Sequence, residues 1–341
     1  MNKQISLSGL MDELTQARTK KKEFLEQMER LIPWGKWVEE IRPCYYKGER
    51  GNKPYGIELM LRLYVLQNLY TLSDEGTVAE VIDSRAFSNF CGVDSSSQIP
   101  NGDTLGRFRN LLIGNGIQEK LFAQVTELLE ERGLLLKKGT IVDSTLISAP
   151  SSTKNAEKKR DPEAHSTKKG NTWHFGYKAH IGVDKDTGLV HTLKVTAANV
   201  HDVTMTEQLL TGEEETVLRN KGGRKIRYKI NRRPSQAKNA PARSRAQIRR
   251  REREKSSVRA KVEHVFAVVK SRFRYRKTRY RGLRKQTAKL NMAFALAILY
   301  PFSNGCLSLD SCFIFSFELC GVDSTKRPNY LCDSTIQITY C

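Results

Sequence analysis

The sequence has little with which to cross or enter a membrane. Its longest apolar stretch, Ala293–Phe302, is far too short for a bilayer span. The first residues, MNKQISLSGLMDEL, carry no apolar run of the kind a secretory signal needs. Zinc-finger spacing is also missing. Of the 7 cysteines, Cys44 and Cys91 stand alone, and Cys306, Cys312, Cys320, Cys332 and Cys341 crowd the C-terminal tail with no CxxC pair and no following histidine. These absences predict a soluble chain in a reducing, cytoplasmic setting. A third gap concerns acid: between Asp202 and Asp310 there is no aspartate at all.

What fills that gap is positive charge. The chain has 341 residues and a net charge of +21. Residues 219–285 alone hold 27 Lys/Arg against 3 Asp/Glu, whereas the rest of the chain carries 31 basic and 34 acidic residues. A block so lopsided exceeds what a merely solvated basic face requires and predicts a polyanionic partner. Nucleic acid comes first, which would make the protein nucleoid-associated; an anionic membrane surface comes second.

Periodicity divides the chain. Residues 8–32, 55–72, 73–91, a stretch starting near Asp103 or Thr104, and 117–132 have helical spacing, so residues 1–135 read as an α-helical domain. At Gly139 the pattern changes. TIVDSTLIS alternates and is β-branched, as a strand should be. After a polar linker (150–171), WHFGYKAHIGVDKDTGLVHTLKVTAAN reads as a hairpin turning at Asp186–Thr187–Gly188, with Lys178 and His180 facing away from Trp173, Phe175 and Tyr177. IRYKIN (226–231) reads as a further strand. VRAKVEHVFAVVK (258–270) is an amphipathic helix, and a last apolar helix runs from about Thr287 to Tyr300. This order predicts an α/β domain with a mixed sheet over 136–301, followed by a tail of no clear period over 302–341.

Asp143 stands among Ile141, Val142, Leu146 and Ile147, where a carboxylate is costly to bury without a partner or metal. Arg259, Glu263 and Lys270 share one helix, the first two a turn apart. The plain alternatives are a strand-end cap for Asp143 and an ordinary ion pair between Arg259 and Glu263.

Four segments, in this order, carry a resemblance: IVDSTLISA, WHFGYKAHIGVD through TAANVHDVT, IRYKINRRP and SSVRAKVEHVFAVVK. The chain resembles the bacterial insertion-sequence DDE transposases of the IS-four/IS-five superfamily, IS-five-like, over roughly residues 20–300. The resemblance implies a ribonuclease-H-like fold, Mg²⁺ (or Mn²⁺) held by carboxylates, cleavage of element ends and strand transfer into target double-stranded DNA, and a homo-oligomer on DNA. It assigns Asp143 and Glu263 as catalytic metal ligands. Arg259 and Lys270 keep the spacing of the Tyr–Arg–Glu–Lys signature, with Ser256 in place of the tyrosine. Arg249, Arg250, Arg251, Arg253 and Lys178 are the further DNA contacts expected.

The chain departs from this family at the second carboxylate. The expected GD-x-GY segment is missing, and only LRNKGGRK separates Val217 from Ile226. A parallel crossover needs a dozen residues or more. The sequence therefore predicts a deletion near 217–226, a defective copy, and at best a weak substitute in Asp202 or Asp184. A rival reading makes the chain a basic nucleic-acid-binding structural protein, with Phe273, Tyr275 and Tyr280 stacking on bases.

Overall fold

The computed structural model describes residues 19–48, 53–154, 158–210, 216–218, 227–228 and 242–303. Its first half is helical: α1 (Lys20–Leu31), α2 (Trp34–Ile41), α3 (Ile57–Leu69), α4 (Asp74–Asp83), α5 (Arg85–Cys91), α6 (Gly102–Gly114) and α7 (Ile117–Glu131). Local chemistry sets these boundaries. The Thr19 hydroxyl caps α1 by accepting from the Lys22 N–H, and the Ser73 hydroxyl caps α4 by accepting from the Gly76 N–H. Residues 73–91, which read as one helix, form two. Ser84 takes an extended conformation between them, and the Ser88 hydroxyl donates to the Val81 carbonyl at 2.6 Å, folding α5 back on α4. The cap of α6 is Asn101, which accepts from Thr104 N at 2.9 Å, rather than Asp103 or Thr104.

The second half begins with β1 (Gly139–Ser148). It continues with β2 (His165–Lys169), β3 (Thr172–Asp184), β4 (Val190–Ala197), α8 (Asp202–Leu209), β5 (Thr216–Leu218), β6 (Arg227–Tyr228), α9 (Ala242–Ala267), a π-turn over Val268–Arg272, and α10 (Leu283–Ser303). The sheet is mixed. β3 pairs antiparallel with β1, β2 and β4, while β5 runs parallel to β1 and β6 parallel to β5. In this half α8 has no counterpart in the sequence reading, and β2 and α9 differ from it. β2 lies inside what read as a linker, because a polar edge strand has no apolar alternation to betray it. α9 starts at Ala242, well before the amphipathic stretch, because its first half is almost entirely polar. The readings on residues 1–18 and 304–341 fall outside the described residues.

One position shows why the strands meet so closely. Gly176 in β3 has φ +155°, and a β-carbon there would press into the Ile147 carbonyl and the Ala149 N–H. Only glycine lets β1 and β3 approach at this point. Among the described residues the largest apolar core then runs from Leu25 and Trp37, through Tyr64, Leu66 and Leu121, to Ile141, Ile181, Val262 and the length of α10. The helical part and the sheet are thus cemented through α10 and the buried edge of α9.

Candidate active site and nucleic-acid surface

Asp143 lies mid-strand in β1, opposite Ile181 of β3, and is only 8% exposed. Its carboxylate has specific partners. Arg259 donates from Nε to Oδ2 at 3.0 Å and from Nη2 to Oδ1 at 3.2 Å, and Ser144 N–H donates to Oδ1 at 2.8 Å. This two-point, charge-assisted pairing balances the buried charge and ties α9 to β1. α9 is oriented by Val262, Val265 and Phe266, all buried, with Val269 buried just beyond in the π-turn. Glu263 is exposed and follows Arg259 by one turn, a rise of about 6 Å.

Beyond Glu263 the π-turn carries Lys270. Its pKa is lowered, first by burial and next by Lys169 of β2; Glu263 opposes the shift and Arg276 adds to it. Arg276 donates from Nε to the Lys270 carbonyl at 3.1 Å, and Lys169 and Glu263 act on Lys270 electrostatically with opposite sign. Lys169, Lys270 and Arg276 come from β2, the π-turn and the segment after it, so the sequence spacing gave no sign of this coupling.

Lys178 and Asp202 go elsewhere. Asp143 pairs with odd-numbered Ile181, so Lys178 and His180 project from the opposite face of the sheet. There Lys178 donates to the Val200 carbonyl at 2.8 Å and meets Asp202 at 3.2 Å, with His180 at 3.7 Å from the same carboxylate oxygen. α8, which Asp202 begins, packs Met205 and Leu209 on Val142. Strand register thus takes Lys178, an expected DNA contact, and His180 to the face away from Asp143, and Asp202 sits with them. Asp184 is spent structurally. It accepts from the N–H groups of Leu136, Lys137, Asp186 and Thr187, pinning the β3–β4 turn.

Among the described residues no group of three or more His, Cys, Asp or Glu could hold a metal ion. Asp143 and Glu263 are two acids of a set that needs three, and a guanidinium occupies the first. The described residues therefore do not fit a two-ion centre, and no chemical step is derived through one.

The basic surface is clear. Arg249, Arg250, Arg251 and Arg253 are all exposed on the first half of α9, with Arg250 braced on Glu254 at 3.3 Å. The aromatics interleaved with basic residues further on behave differently. Phe273 and Tyr275 are fully buried, and Tyr280 is half-buried beneath Arg109, whose guanidinium lies 4.5 Å from the ring centre. Phe273 and Tyr275 belong to the core and the Tyr280 ring is covered by a guanidinium, which removes the stacking residues on which the structural-protein reading rested.

With fold and site in view, the class is defined by comparison. Residues 135–299 match the family described as Transposase DDE domain. Residues 12–111 match a Transposase domain (DUF772), so a helical N-terminal region similar to transposases leads into an α/β region of the DDE transposase, ribonuclease-H-like type. No solved structure matches the chain.

Proposed function

We propose that this chain is an insertion-sequence transposase of the IS-five-like branch that retains DNA binding and has lost strand cleavage. The match of residues 135–299 to the Transposase DDE domain supports the link to DNA transposition. The branch is supported by the four ordered segments, above all by Arg259, Glu263 and Lys270 at signature spacing. The observation that carries the loss is the link between β5 and β6. These strands pair in parallel, yet only residues 219–226, none of them acidic, join Leu218 to Arg227. That is shorter than a crossover helix requires. We read it as an internal deletion that removed the second aspartate and the helix after it.

What remains can hold DNA. The arginines of α9 neutralise phosphates and release counterions, so affinity for duplex falls steeply with salt. Asp143, held by Arg259, then serves to fix α9 on the sheet. The test is a nicking assay on supercoiled and end-containing DNA with Mg²⁺ or Mn²⁺, beside Asp143→Ala. The expected result is binding without cleavage in both proteins. Metal-dependent nicking by the unaltered chain that Asp143→Ala abolishes would overturn the reading, and Asp202 and the acids outside the described residues would be examined next.

A further inference from the structure

Among the described residues five large apolar side chains are exposed, and Trp173 is both the largest and the most exposed, at 68%. A single exposed aromatic is ordinary on a protein surface. The surroundings of this one are not. Trp173 lies on β3 directly opposite Lys168 of β2, so ring and ammonium share a face. Lys169 follows at the hairpin tip and acts electrostatically on Lys270. Residues 165–174 include Lys168, Lys169, His165 and His174 and no acid. Every residue of β2 is exposed except the half-buried Thr167. Lysines along a strand edge discourage pairing with a second copy and favour an anionic partner.

We propose that the β2–β3 hairpin is a binding site for unpaired nucleotides, in which Trp173 stacks on a base while Lys168, on the same face of the hairpin, holds a flanking phosphate. The inference rests on the reading of the chain as a DNA-binding protein and adds the form of DNA taken at this hairpin. An indole face accepts any base, so the site favours strand form over sequence, whereas the arginines of α9 see phosphates alone. Duplex DNA keeps its base faces stacked inward and cannot satisfy the ring.

The molecule supplies its own probe. Of the 3 tryptophans, Trp37 is fully buried and Trp34 is half-buried under the Arg62 guanidinium at 4.6 Å, leaving Trp173 as the exposed emitter. The experiment titrates the full chain with oligothymidylate, with an abasic strand of equal length, and with blunt duplex, reading tryptophan emission and anisotropy together. Oligothymidylate is expected to quench the red-shifted emission, and the abasic strand to bind without quenching. Trp173→Ala should weaken oligothymidylate about tenfold or more while leaving abasic-strand and duplex affinity unchanged, and Trp173→Phe should recover most of the loss. Equal quenching by the abasic strand overturns the proposal. So does an equal loss of all three ligands in Trp173→Ala, or conversion of an oligomer to monomers by that change, which would make the patch a self-interface. Salt-sensitive duplex binding without quenching by oligothymidylate would sink this proposal alone; failure to bind duplex would sink the DNA-binding reading beneath it.

Discussion

Helices α9 and α10 are the two longest among the described residues, at 26 and 21 residues, and both belong to the second half of the chain. They have opposite fates. α10 is almost wholly buried, to the point of enclosing Gln286, Lys289 and Asn291. Most described side chains of α9 up to residue 257 are exposed, and only a late stripe through Val262, Val265 and Phe266 is buried. The difference teaches where each kind of residue is put to use. A helix buried on all sides carries the fold and leaves no surface for a ligand. One anchored at a single end can present a row of cations, and its packing contributes little to stability.

The contrast can be tested by mutation, starting where the effect should be greatest. Phe294 in α10 is fully buried, so Phe294→Ala is expected to cost about 3–5 kcal/mol from lost burial and the cavity left behind, read by denaturant unfolding. A change under 1 kcal/mol would mean that α10 is not the central pillar described.

Lys289 comes next. It sits 5.4 Å from the centre of the Tyr275 ring, and its pKa is pushed down to about 7, first by burial and then by Arg279 and Arg109. The folded chain releases this proton near pH 7, whereas the unfolded chain keeps it to about pH 10.4. Unfolding therefore takes up a proton in that interval, and this group makes stability rise with pH from about 7 upward. Burial raises the Cys91 thiol to about 12, and Tyr64 likewise to about 12, so these groups oppose the rise above about pH 8.5. Lys289→Met is expected to stabilise the protein by about 1–3 kcal/mol at pH 7 and to flatten the slope between pH 7 and 8.5. Unfolding curves at three pH values decide it, and an unchanged slope would clear Lys289 of the effect.

Arg259→Ala should cost less, about 1 kcal/mol, since the guanidinium is more than half exposed and solvent screens much of the pair. A loss above 3 kcal/mol would mean that the ion pair, rather than the valine and phenylalanine stripe, seats α9. The smallest change in stability, within about 0.5 kcal/mol, is expected for the fourfold charge reversal at Arg249, Arg250, Arg251 and Arg253. The same variant should flatten the log–log salt dependence of duplex binding by about 3–4, at roughly 0.9 per phosphate contact. A slope left as it was would show the row to be solvated surface only.

Much of this was legible in the chain. The apolar spacing of 55–72, the β-branched run around Asp143 and the alternation of 173–181 each register a burial pattern, and burial patterns are what periodicity reports. The site was legible where it depends on one element, as in the Arg259–Glu263 spacing on α9. It was not legible where it depends on register. Whether Lys178 shares a face with Asp143 turns on the pairing of Asp143 with Ile181, which a slip of one residue would reverse. Nor could polar elements be seen: β2 and the described side chains in the first half of α9 bury almost nothing, so they leave no apolar trace. The electrostatic effect of Lys169 on Lys270 links strand to π-turn across a hundred residues, and no local pattern encodes such a distance.

The bare half of α9 has one more consequence. Arg249 and Arg253 repel each other across one turn, and Arg250–Glu254 only partly compensates. Because the described side chains of this half are mostly exposed and carry like charges in register, packing adds little to its helicity, which therefore answers to its surroundings. A polyanion laid along it would screen the repulsion and favour the helix, and dilution into low salt would weaken it. Circular dichroism at 222 nm should therefore deepen as duplex is added, making the amount of helix in this protein a measure of how much DNA it holds.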